Sequence, residues 1–388
     1  MSLKSIEMTP RERMYAALEG GKLDKFPVNA PYTFLSNADR WTELTGLPVW
    51  KFYEWTISDP AKHAEMYKTF YETLPFDAVE PWGVQVAEHI HGREYRENIE
   101  IVFKDGIPWF HYKKEDNYEK VPDAIHEFGS GGAEPEKRKV ADIGDAKEKI
   151  KIVSAEKIIE QGCGDYITEL VKIYGKERFV ISGGICNTFW TNVFFVGMTN
   201  FFMMLREERE LIKYMSGRIL ERNIEIIRSH AAAGGDAIYV DDATATCDMI
   251  SPKTYEEFSL PYMIEEVKEI RRLGKKAIVI YFGGIADRVE MIKSMGADLL
   301  CMEASMKFYT NDFETVAKRL DGKTALAGNL NPNLDLELPT EDEFKRIMEK
   351  AVGLGRKYGK YVTSTGSPIT PNTSLERIKK FIELGHAL

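Results

Sequence analysis

The chain has little of what soft-metal or redox chemistry needs. Its 388 residues include only four cysteines (Cys163, Cys186, Cys247, Cys301) and seven histidines. The cysteines are scattered without CxxC spacing, which argues against a disulfide framework or a zinc knuckle. No apolar run reaches about 18 residues, so no membrane span is expected. A basic-then-apolar signal pattern is also missing from the N-terminus, and the expected location is cytoplasmic. Basic residues are not in excess: 52 Lys and Arg against 61 Asp and Glu give a net charge of −9. The two signs are interspersed, which argues against a nucleic-acid groove. What is present is an ordinary globular composition, 44% hydrophobic and 29% charged.

Thr9-Pro10 followed by "RERMYAALEG" predicts a capped amphipathic helix that stops at Gly20-Gly21. Short apolar runs then recur at 27–30, 78–81, 179–184, 237–242, 277–282, 299–304, 324–329 and 361–366. Stretches with apolar residues at helical spacing separate the later ones. Near-continuous apolar strands joined by helical crossovers are buried on both faces and therefore parallel. Eight such units predict an α/β fold, a (β/α)8 TIM-type barrel in a single domain spanning 1–388. An open doubly wound sheet fits less well, because "PVNAPYT" after the first run lacks GxGxxG. Segment 82–150 is irregular. Its alternating "REYRENIEIVFKDGIPWFHYKK" around Lys104-Asp105-Gly106 predicts a hairpin, inserted after the second strand and lying over the barrel mouth as a lid or wall.

Barrel enzymes carry their chemistry at the C-terminal ends of the strands. Those ends here supply Glu80 and Trp82, Asn187, Asp241 and Asp242, Tyr281, Glu303, Asn329 and Ser367. They predict a polar pocket. "AIVIYFGGIADRV" (277–289) ends a buried strand on Tyr281 and the Gly283-Gly284 pair, a pattern that brings backbone close to something.

Four blocks give a resemblance: "TPRERMYAALEGGKLDKFPV", "MISPKTYEEFSLPY", "GNLNP" and "GSPITPNTSLERIKKF". In sequence and spacing they are similar to the uroporphyrinogen decarboxylase superfamily, which implies the same barrel. True decarboxylases of that superfamily carry RxxGR after strand one and a catalytic Asp after strand two. This chain reads "NAPYTFLSNADRW" and "AVEPWGV", with Arg40 alone and Trp82 where the Asp belongs. The resemblance therefore implies the other branch, methyltransferases that work with a corrinoid protein. Many of those hold zinc through His-x-Cys at the end of strand five and a Cys after strand eight. The matching positions here are Tyr281, Gly283 and Ser367, which cannot form that triad.

The remaining candidates each have a functional and a structural reading. Tyr281 is expected to point into the pocket as a hydrogen-bond donor, or else it caps the core. One of Asp241 and Asp242 should face the mouth while the other faces away; helix capping or an ion pair is the alternative. Glu303, between Met302 and Ala304, has an apolar setting suited to acid–base work or to a buried ion pair. These four are the expected catalytic residues. Trp82, Asn187, Trp190, Asn329, Ser367 and His89 are the expected substrate contacts, with Asn329 otherwise bracing its turn. His89 and His91 fall on one face of a strand. The aromatic stretch 187–202, with Phe189 and Trp190, either packs on the barrel and serves a homodimer interface or lines a pocket for an aromatic or methylated cationic substrate. Any metal would lie with Asp241, Asp242 or Glu303, helped by Cys247, Cys301 or a histidine.

The expected function is methyl transfer between a small methylated compound and a separate corrinoid protein. The corrinoid is expected on that partner, because DxHxxG is missing from this chain. A decarboxylase-like enzyme acting on a small acid and a non-catalytic ligand-binding barrel are the alternatives.

Overall fold

The computed structural model describes residues 7–81, 92–125 and 138–388. In chain order the strands are β1 (Val28–Asn29), β2 (Ala78–Val79), β3 (Ile99–Lys104), β4 (Ile107–Tyr112), β5 (Asn117–Lys120) and β6 (Phe179–Cys186), followed by β7 (Ala237–Asp242), β8 (Lys276–Tyr281), β9 (Leu299–Met302), β10 (Ala325–Ala327) and β11 (Tyr361–Ser364). Eight of these form one parallel sheet in the order β1-β11-β10-β9-β8-β7-β6-β2. Its two ends meet at Asp77: the Asp77 N–H donates to the Val28 carbonyl at 3.0 Å, and the Val28 N–H donates to Asp77 Oδ2 at 2.7 Å. A carboxylate thus takes over from the ladder at the seam, and the nearly closed sheet is the expected (β/α)8 barrel. Each of the eight predicted apolar runs contributes one of its strands.

Side chains of a strand alternate between faces, so each run divides into two cores. Phe179, Ile181, Ala237, Tyr239, Ile278, Ile280, Leu299 and Val362 fill the barrel, where Met14, Ala17 and Leu18 join them. Those three come from helix Pro10–Glu19, whose Thr9–Glu12 capping box and left-handed Gly20 are the start and stop that the sequence predicts. Val180, Val240, Val279 and Leu300 face outward, into the larger core under the helices. Burial of each such side chain contributes about 1.5–3 kcal/mol. β6 shifts register between Ile181 and Gly184. At Gly184 a Cβ would lie 2.0 Å from the Tyr239 ring, so glycine there is what lets Tyr239 occupy the barrel axis.

The insertion contains a three-stranded antiparallel sheet, β3-β4-β5. The predicted hairpin is present, with Asp105 at φ 53° and Gly106 at φ 77°, the pair of positive angles that a two-residue hairpin turn requires. The sheet packs on helix Val49–Ile57 through Trp50–Phe103 (centroids 5.0 Å apart) and Tyr53–Phe110 (5.7 Å). Arg96 pairs with Asp165 at 3.0 Å, and the Lys139 N–H donates to the Phe195 carbonyl at 2.8 Å. Asp165 opens the helix that descends to β6, and Phe195 lies in the helix that follows β6. Both contacts tie the insertion to the helices that flank β6. Among the described residues no helix is long and apolar enough to cross a membrane.

Candidate active site at the barrel mouth

Strand parity decides which of the expected residues reach the mouth. On β7, Ala237 and Tyr239 point into the barrel, so Asp241 does too and Asp242 points out. On β8, Ile278 and Ile280 point inward, and Tyr281 therefore points outward, into the helical core. This corrects the expectation for Tyr281. Its hydroxyl donates to the carbonyls of Ala245 (3.1 Å) and Gly284 (3.3 Å), and it is fully buried. Phe282, one residue later, packs on the barrel-interior cluster instead. The double glycine is explained the same way. A Cβ on Gly283, at φ +111°, would lie 2.3 Å from Thr246 Cγ2, and one on Gly284 would lie 2.1 Å from Cys247 Sγ. What comes close to this backbone is the chain's own loop after β7.

Asp242 belongs to that outer layer. It accepts from the Ala245 N–H (3.3 Å) and the Tyr255 hydroxyl (3.2 Å), and burial pushes its pKa up to about 6. Arg288, fully buried beside it, donates to the carbonyls of Ala245 (2.6 Å) and Ile250 (2.8 Å). Asp242, Tyr255, Tyr281 and Arg288 together clamp the loop after β7, a positioning role rather than contact with a substrate.

At the mouth itself, Asp241 accepts a hydrogen bond from the hydroxyl of Tyr32. Tyr32 follows β1 in a left-handed conformation (φ 55°, ψ 47°), which costs a non-glycine residue roughly 1–3 kcal/mol. Its ring meets Tyr239 (5.8 Å) and Phe282 (5.7 Å). Burial pushes Asp241 up to about 7, against the lowering effect of the Tyr32 hydroxyl. Glu80, after β2, accepts from the Thr33 N–H at 3.3 Å. Burial first, and then the charge of Asp241, push it up to about 8. Tyr32 carried no sequence signal beyond following the first strand. Its partner lies 209 residues away, and only the barrel brings the two together.

A second group forms around Glu303. The expected apolar setting is not found: Glu303 Oε2 accepts from the Gly283 N–H (2.6 Å) and from the hydroxyl of Tyr309, and Oε1 accepts from Ser367 Oγ (3.0 Å). Three donors hold this carboxylate. Asn311 ties the surrounding loop by donating to the carbonyls of Gly283 (2.9 Å) and Glu303 (3.0 Å). Asn329 donates to Asn311 O at 2.7 Å and so braces the same loop.

Two expected contacts take structural places. Asn187 is fully buried and caps helix Thr188–Val196 through the Trp190 N–H (2.8 Å), so it does not open onto the mouth. Trp190 stacks on Phe194 at 6.3 Å, and Phe189 packs on Phe201 in the core. Trp82, His89 and His91 lie outside the described residues.

The soft-ligand zinc site does not fit. Tyr281 faces away, Gly283 has no side chain, and Ser367 already donates to Glu303. The replacement site expected from Asp241, Asp242, Glu303, Cys247 and Cys301 is not assembled either: among the described residues no three His, Cys, Asp or Glu side chains are grouped to hold a metal. Cys301 points into the barrel and Cys247 against Gly284, and burial raises both thiols, leaving them poor thiolate ligands.

The family model described as uroporphyrinogen decarboxylase (URO-D) matches residues 129–388. Uroporphyrinogen decarboxylase of Thermoplasma acidophilum is 31% identical over 193 residues, covering 48% of this chain and 51% of that protein. The Myxococcus xanthus enzyme is 28% identical over 187 residues, 47% of this chain and 49% of its own. The chain thus spans about half the length of the curated relatives it matches. Among solved structures, a methyltransferase from Methanosarcina mazei superposes with a TM-score of 0.69 at 16% identity, over 98% of each chain, and shares the fold.

Proposed function

The chain belongs to the uroporphyrinogen decarboxylase family, and from that premise we propose that it transfers a methyl group between a small methylated substrate and a corrinoid carried by a separate protein. The observation that carries this reading over polyacid decarboxylation is the sign of the mouth. Glu80, Asp241 and Glu303 face it, and among the described residues none of the three forms an ion pair. A substrate with several carboxylates would find no cationic partner on these three groups, and Glu80 and Asp241, raised to about 8 and 7, would be pushed further toward their neutral forms by it, an arrangement that selects against it. Arg40, the one arginine in the segment after strand one, is buried and donates to the carbonyls of Thr370 (2.9 Å) and Thr373 (2.6 Å). It is committed to the chain's own backbone.

A corrinoid supplies the cobalt that takes or gives the methyl group. The work of this chain is to hold the substrate, keep water away and manage a proton. Asp241, poised near pH 7, suits delivery of a proton to a leaving group. Tyr32, Tyr239 and Phe282 give that carboxyl an apolar wall. The insertion is the part we assign to closing the mouth. That the Methanosarcina mazei neighbour is a methyltransferase is in keeping with this reading. The relatives' name, uroporphyrinogen decarboxylase, favours a second one, decarboxylation, which we take on a small acid. The carboxyl-lined mouth opposes it.

Mixing the protein with cobalt(I) corrinoid and a panel of methylated compounds tests the proposal. Conversion of the cobalt(I) spectrum to that of methylcobalt supports it. Carbon dioxide release from small acids with no corrinoid change would replace it by the second reading.

A further inference from the structure

Buried carboxylates elsewhere in this molecule are matched by donors. Asp77 takes Arg13, the Val28 N–H and His386. Asp236 takes Arg11, Tyr15 and the Val180 N–H. The mouth is different. Glu80 Oε1, Asp241 Oδ1 and Asn29 Oδ1 are all buried without a hydrogen-bond partner. Glu266 also keeps a bare oxygen, but it sits against Asn223 on the helical side.

The three mouth acceptors lie at the same end of the barrel, on or just after β1, β2 and β7. Asn29 and Glu80 line one cavity of about 10 Å³ in the barrel interior, room for about one water-sized group, and Asp241 lies outside its lining. Glu80 lies close enough to Asp241 to feel its charge. Glu80 is 1% exposed and Asp241 8%. Each bare buried acceptor costs about 1–3 kcal/mol. Near neutral pH Glu80 keeps its proton and Asp241 is about half ionised, so one to two donors face three acceptors, and each ionisation of Asp241 leaves the group short of a donor and of positive charge.

We propose that the mouth takes a small ligand bearing a protonated primary amine, whose N–H groups meet Asp241 Oδ1, Glu80 Oε1 and Asn29 Oδ1. An ammonium group carries three donors and no acceptor, the complement of this set. The ring of Tyr32, packed against Tyr239 and Phe282, gives the ligand an aromatic wall beside Asp241. A hydroxyl offers one donor, and an anion offers none. The small space beside Glu80 selects an unbranched ammonium end. This inference rests on reading the mouth as the substrate site, and it names the substrate class.

Isothermal titration of the full chain at neutral pH, with ethylammonium, tetramethylammonium, ethanol and acetate as probes, tests it without any methyl transfer. Ethylammonium is expected to bind roughly tenfold or more tighter than ethanol or tetramethylammonium, a gap of at least about 1.4 kcal/mol, with acetate the weakest. Glu80→Gln and Asp241→Asn should each weaken ethylammonium by about tenfold; should Glu80→Gln fail to fold, Asp241→Asn decides. Ethanol or acetate binding as tightly as ethylammonium, no ethylammonium binding, or unchanged affinity in Asp241→Asn would each overturn the inference. Methyl transfer from a neutral ether without amine binding would remove this inference and leave the proposed function standing. Amine binding without corrinoid methylation would do the reverse.

Discussion

The hydroxyl of Tyr32, held in a left-handed turn after β1, donates to the carboxyl of Asp241 at the end of β7. The bond spans the mouth between strands that are not neighbours in the sheet. It also fixes one oxygen of Asp241 and leaves the other bare. The carboxyl therefore has a defined orientation and a defined free face, which a proton donor or ligand anchor needs.

Tyr32→Phe is expected to raise the pKa of Asp241 above its value of about 7, because the hydroxyl stabilises the carboxylate form. Loss of one hydrogen bond should cost about 1 kcal/mol of stability. Carboxyl infrared bands followed through a pH titration would show the shift. An unchanged titration in the variant would mean that the two side chains are not coupled.

Glu80, Asp241 and Asp242 are raised to about 8, 7 and 6. Each binds its proton more tightly in the folded protein than in the unfolded chain. Their contribution to stability is therefore fully present below the unfolded pKa near 4 and is lost as pH rises through the folded values, across roughly pH 4 to 8. The contrast between two proteins isolates Glu80. Glu80→Gln should gain in melting temperature relative to the unsubstituted protein on going from pH 5 to pH 9, with a difference of a few kcal/mol between the extremes. A constant offset across that range would remove Glu80 as the titrating group.

Tyr281→Phe removes the phenol donor from the carbonyls of Ala245 and Gly284, which keep Arg288 and the Cys247 N–H, and is expected to destabilise by about 0.5–1.5 kcal/mol in denaturant titration. Ligand affinity at the mouth should change little. Gly283→Ala, which forces a Cβ onto Thr246 at a positive φ, should cost about as much or more. A large loss of substrate affinity in Tyr281→Phe at unchanged stability would return this residue to the pocket.

Glu303→Gln and Ser367→Ala should be coupled. The pair is joined by a 3.0 Å hydrogen bond to a carboxylate that three donors hold. A double-mutant cycle on stability is expected to give an interaction energy of about 1 kcal/mol. Additive effects would show that Ser367 contributes nothing to holding Glu303.

The sequence determined the scaffold. Eight apolar runs became the eight barrel strands, the Thr9–Glu12 cap and Gly20 bounded the first helix, and Lys104-Asp105-Gly106 turned a hairpin. These are local choices, set by hydrophobic period, caps and turn residues, and they are readable along the chain. The sequence also indicated that a ring of polar residues follows the strands, and that one of Asp241 and Asp242 would face inward.

Only the tertiary structure decided which member of each strand end serves the mouth. A shift of one residue reverses the face that a side chain occupies, so Tyr281 went to the helical core while Phe282 packs toward the barrel interior. The glycines beside it answer to Thr246 and Cys247, residues of a neighbouring loop. The pairing of Tyr32 with Asp241, the donors gathered on Glu303 and the bare oxygens of Glu80 and Asn29 depend on strands distant in sequence. Closure of the barrel alone sets their distances.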